Sequence, residues 1–133
     1  MSWIEGNALS ILSEDGVYLR LDVGVDVRFT GVDLFEGQTG AAKFSVSCTI
    51  WDSDRGYDDR VAMKEHVMEP GSISEVTGFE MIFDLPYEEL RSMEVTWPLD
   101  SEIELFGELA LRKNGFREGK SVKTRKIEIP IWE

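Results

Sequence analysis

One cysteine, one histidine and four prolines occur in 133 residues, and no apolar run nears the length of a membrane-spanning helix. Each scarcity removes a class of protein. A lone Cys48 allows neither a disulfide framework nor a cysteine-built zinc site within one chain. A lone His66 excludes a histidine-rich zinc centre, and a single histidine is more often a packing or surface residue than a catalytic base. The stretch Met1 to Gly6 has no basic region and no apolar segment of a secretory signal, so a reducing cytoplasm is the expected compartment. No phosphate-binding lysine loop, no Gly-x-Gly-x-x-Gly and no Gly-x-Ser-x-Gly elbow is present. Positive charge is also scarce. A net charge of −12 argues against nucleic-acid binding, which neutralises phosphates with Lys and Arg, and against simple adsorption to anionic membranes.

What the chain does have is alternation. Val17, Leu19, Leu21, Val23, Val25, Val27 and Phe29 occupy every second position, separated mostly by polar residues. A strand turns successive side chains to opposite faces, so this run predicts a long strand with one dry side. Phe44, Val46, Cys48 and Ile50 repeat the pattern within Ala42–Trp51 and place the thiol in a core. Phe79 to Leu85 and Ile103 to Leu111 are further clean cases, and Ile127, Ile129 and Ile131 close the series. Ala8–Leu12, Val61–Met68 and Met93–Trp97 are weaker candidates. The residues 31–40, with three glycines, read as a loop, and Pro86 to Arg91 as a single helical turn. Asp15-Gly16 and Asn114-Gly115 are turn signals. Helical periodicity over ten or more residues is absent, which argues against α/β nucleotide-binding folds. The expected architecture is one domain over residues 1–133, an antiparallel β-sandwich of about eight strands, with a jelly roll or barrel as the alternative.

The densest chemistry is Trp51-Asp52-Ser53-Asp54-Arg55-Gly56-Tyr57-Asp58-Asp59, with four carboxylates in eight residues. Calcium takes hard oxygen ligands, and aspartates around a glycine turn can supply them. An EF-hand is not indicated, because position twelve from Asp52 is Met63 rather than a bidentate Glu. Ile50-Trp51-Asp52-Ser53-Asp54 followed by Asp58-Asp59 resembles the third calcium loop of the C-two domain, the calcium- and phospholipid-binding β-sandwich of signalling and trafficking proteins. That resemblance implies Asp52, Asp54 and Asp58 or Asp59 as calcium ligands. The family's other loop, an Asp followed later by Asp-Pro-Tyr, has no counterpart; only Asp33 in 31–36 is a candidate contributor.

Charge is unevenly spread. Seven bases against one acid fall between Arg112 and Lys126, so that segment carries +6 and the remaining residues −18. Arg112, Lys113, Arg117, Lys120 and Lys123 form a candidate basic patch for an acidic surface, including that of a second copy. Trp51 falls on the polar phase of its strand, where an aromatic can meet a protein or a sugar. Together these features predict a non-catalytic binding or assembly module that mediates protein contact. The alternative is a calcium-dependent lipid- or carbohydrate-binding sandwich centred on Asp52, Asp54, Asp58 and Asp59.

Overall fold

A computed structural model describes residues 1–53, 58–93 and 102–130. Two antiparallel sheets face each other. The first has three strands in the order β1 (Ser2–Glu14), β2 (Tyr18–Phe29) and β5 (Val76–Pro86). The second runs β4 (Asp58–Val67), β3 (Phe44–Ser53), β6 (Glu102–Lys113), with β7 (Phe116–Arg117), β8 (Val122–Lys123) and β9 (Ile127–Pro130) strung along the far side of β6. The chain crosses between sheets from β2 to β3, from β4 to β5 and from β5 to β6. The sheets stay separate rather than closing on themselves, so the molecule is a sandwich and not a barrel.

The period-two runs make the interior. From β2, Leu19, Leu21, Val23, Val25, Val27 and Phe29 are buried, and from β3 Phe44, Val46, Cys48 and Ile50 meet them. Phe29 and Phe44 pack edge to face with ring centroids 4.9 Å apart. Phe83, Leu85, Ile103, Leu105, Leu109, Leu111 and Ile129 join them, with Leu9 from β1. Val17 shares the phase of β2 but precedes the strand and is exposed. One side of the sandwich is latched by two β4 side chains. The His66 ring stacks flat on Phe79 of β5 with centroids 4.1 Å apart, and Lys64 donates to the Ile82 carbonyl.

Two expectations need correction. The glycine-containing stretch read as a loop forms helix α1 (Gly31–Thr39), closed by Gly40 at φ 81°. Its buried residues are Asp33 and Gly37, with Leu34 half-buried against the core, so its apolar contact is narrow, and a salt bridge and a close glycine contact add to it. A Cβ on Gly37 would come within 3.1 Å of Ile73, which is how near the helix lies to the 3-10 turn Pro70–Ser72. The acidic stretch Asp52 to Asp59, likened above to a calcium loop, is hairpin arm in its described residues, because β3 continues to Ser53 and β4 begins at Asp58. The single helical turn is found as α2 (Tyr87–Ser92), whose Tyr87 and Leu90 are buried. Val95 and Trp97 of the weak candidate strand, and Ile131 of the last, lie outside the described residues.

Candidate functional site

The acidic hairpin divides its carboxylates between two faces. Asp52 follows Ile50 on the core-facing phase of β3 and is 1% exposed. Asp59 is its direct partner across β3–β4, and opposed residues of an antiparallel pair share a face. Asp58 pairs with Ser53 one position on, and so points to the opposite, solvent side. Asp54 lies outside the described residues. Among the described residues no three His, Cys, Asp or Glu side chains are grouped to hold a metal ion.

The basic segment is organised differently from its sequence order. Arg112 and Arg117 face each other across β6–β7 on the outer side of the second sheet. Lys123 opposes Glu108 across β6–β8, and its ammonium stands 5.4 Å from the Phe106 ring centroid; that of Lys126 stands 5.9 Å away. Lys120 is exposed between the short strands. Among the described residues none of these bases forms an ion pair with an acid. Lys113 belongs elsewhere. It opposes Phe44, on the core-facing phase, and its Nζ donates to Asp33 Oδ1 at 2.8 Å and to Glu36 Oε1 at 3.3 Å. Asp33 also accepts from Ser2 Oγ at 2.7 Å. Lys113 therefore ties α1 to the end of β6 and leaves the outer strip.

Sequence reasoning missed the residue beside that strip. Phe116 is 80% exposed, directly after a tight turn in which Asn114 and Gly115 both take positive φ, 52° and 85°. That pair of angles is the type I′ geometry that suits a two-residue hairpin. Phe116 opposes Lys113, and Lys113 bonds to α1, whose Val32 and Phe35 are 68% and 67% exposed. One end of the sandwich thus presents exposed apolar side chains, with Arg112 and Arg117 on the other face of the same hairpin and without an ion pair among the described residues. A lone aromatic amid turn and basic residues was the available signal. The acidic hairpin sits at the other end of the ten-residue β3, about 30 Å away along the strand.

The remaining candidates are accounted for as follows. His66 is engaged in the ring stack that bridges the sheets. Trp51 and Phe106 oppose each other on the outer face of β3 and β6, and with Asp58, Glu108 and Lys123 they line a shallow hollow of about 210 Å³. Cys48 is fully buried, and burial pushes its thiol pKa up to about 12. No helix among the described residues is long and apolar enough to cross a membrane.

No known family's sequence profile matches the chain, and no curated protein matches it by sequence. Solved structures do share its fold. A glycosyl hydrolase family 2 member from Bacteroides cellulosilyticus aligns over 96% of this chain at 13% identity and a TM-score of 0.53. The chain spans only 15% of that enzyme's length. A protein from Archaeoglobus fulgidus aligns at 13% identity and a TM-score of 0.55, covering 96% of this chain and 97% of that one. At these identities the likeness establishes the fold, a small β-sandwich domain that also occurs inside larger enzymes.

Proposed function

We propose that the chain is a non-catalytic binding module that docks an acidic protein surface through the β6–β7 end. The observation that carries this reading is Phe116, exposed at the β6–β7 turn, with Arg112 and Arg117 on the other face of the same hairpin, neither of them ion-paired among the described residues. Interfaces place aromatic and arginine anchors at their energetic centre and surround them with polar contacts. Burying a phenylalanine contributes about 1.5–3 kcal/mol, and the two guanidiniums supply planar donors for carboxylates. Lys120 is exposed just beyond β7 and steers an acidic partner toward this end, while Lys123 lies further along β6, over Phe106.

The test is proximity labelling in the source cell with wild type, Phe116→Ala and Arg117→Glu. A neighbour recovered by wild type and lost by both variants, with the thermal midpoint unchanged, supports the proposal. Purified, that neighbour should bind Phe116→Ala about thirtyfold more weakly, the equivalent of about 2 kcal/mol. Neighbours identical in wild type and both variants would overturn the reading.

A further inference from the structure

Trp51 lies on the outer face of the second sheet, in one row with Arg60 of β4 and Phe106 of β6. It takes no part in the core, because its neighbours Ile50 and Asp52 hold the inward phase. Phe106 is only 4% exposed, since Lys123 and Lys126 stand over its ring. Trp51 is half-buried and forms a wall of the hollow of about 210 Å³. Polar groups flank it on both sides. Asp58, opposite Ser53, is two residues along in one direction, and Glu108, opposite Thr49, two residues along in the other, about 7 Å each way. Glu108 Oε2 accepts from Ser121 Oγ at 3.1 Å, which fixes that carboxylate at the rim. Lys123 opposes Glu108 across β6–β8, yet among the described residues neither they nor Asp58 form an ion pair.

These groups select a guest by elimination. An anion meets Asp58 and Glu108, and a cation meets Lys123 and Lys126, so the guest is neutral. A purely apolar guest would strip water from two carboxylates and an ammonium and return no hydrogen bonds. The volume is below the roughly 300–1,000 Å³ of pockets for drug-sized ligands, so the guest is one small ring. Carboxylates only accept hydrogen bonds and an ammonium only donates them, whereas a hydroxyl does both. A ring of hydroxyls meets all three groups at once, and its C–H face suits the electron-rich face of an indole.

We propose that this hollow binds a single sugar residue, laid flat on Trp51 with its hydroxyls shared among Asp58, Glu108 and Lys123. The site is separate from the proposed protein contact. The Trp51–Phe106 pair is seven residues along β3 from the Phe44–Lys113 pair beside Phe116, or about 23 Å.

The test is titration of the full chain, followed by protein NMR, with glucose, galactose, mannose and N-acetylglucosamine, and with free phenylalanine as a zwitterion carrying a ring. The Trp51 indole N–H is assigned by its absence from the spectrum of Trp51→Ala. At least one sugar should shift that signal and the Lys123 amide together and saturably, at about millimolar strength for so small a ligand. The guest is neutral, so the affinity should be the same at about 0.05 and 0.5 M sodium chloride. Asp58 is exposed, so Asp58→Ala should weaken binding about tenfold with an unchanged thermal midpoint. Trp51→Ala should abolish binding, and Phe116→Ala should bind as wild type does. No saturable shift with any sugar, tighter binding of phenylalanine than of every sugar, an affinity that falls with salt, or binding indifferent to both Asp58→Ala and Trp51→Ala would each overturn the proposal.

Discussion

Asp33 shows how one carboxylate can anchor a helix whose apolar contact with the core is as narrow as the half-buried Leu34. It is 6% exposed, and burial alone would raise its pKa; hydrogen bonds from Lys113 and Ser2 outweigh burial and hold it below the ordinary 3.8. Two surface carboxylates are lowered as well: Asp15 by the backbone N–H groups of Tyr18 and Val17, and Asp84 by the Arg20 guanidinium. Each therefore binds its proton less readily folded than unfolded. The stability they contribute is fully present above about pH 4 and is lost as the pH falls through their lowered folded values. The thermal midpoint should accordingly hold steady from neutrality to about pH 5 and drop below about pH 4. Asp33→Ala removes the acceptor for two donors. It should cost about 2 kcal/mol at pH 7, a loss of about 5–8 °C, and should make the acid drop shallower. A variant as stable as wild type across this range would show the tie to be idle. The parity that makes Lys113 its partner was already visible, since Lys113 is in step with Leu109 and Leu111 while Arg112 is not.

At the scale of elements, the β6–β7 turn carries a clear test. Gly115 has φ 85° and nothing within 4 Å of the position a Cβ would take, so Gly115→Ala tests backbone strain without a clash. It should destabilise by about 1 kcal/mol in chemical denaturation, with an unchanged slope. The strands were legible because each carries a buried face: β2, β3, β5 and β6 announce themselves through alternate apolar residues. Helix α1 was not, because it buries Asp33 and Gly37, exposes Val32 and Phe35, and turns one half-buried leucine, Leu34, to the core, too little for an amphipathic stripe. Nor was the inward turn of Asp52, whose polar surroundings in sequence hide that it continues the phase of Ile50. Alternation says which side of a strand is dry but not which strand lies beside it. The sheet order, and with it the placing of the β6–β7 turn at the end of β3 away from the acidic hairpin, had to come from the fold.

At the scale of the whole molecule, charge governs how copies meet. The isoelectric point near 4.5 lies above the range where the lowered carboxylates give up the fold, so a folded, uncharged molecule exists in a narrow window. Light scattering should rise as the pH approaches 4.5 and subside on return to neutrality. Scattering that stayed flat through that window would mean that mutual repulsion does not keep the copies apart. The manner in which the far side of β6 is filled has a consequence of its own. β7, β8 and β9 are stitched to it by two, two and four residue pairs, with Thr124 clipped to Gly107 in the gap. A seam sewn in patches frays before a continuous one, so the backbone amides of 116–130 should take up deuterium ahead of those in β3, which is paired along both sides.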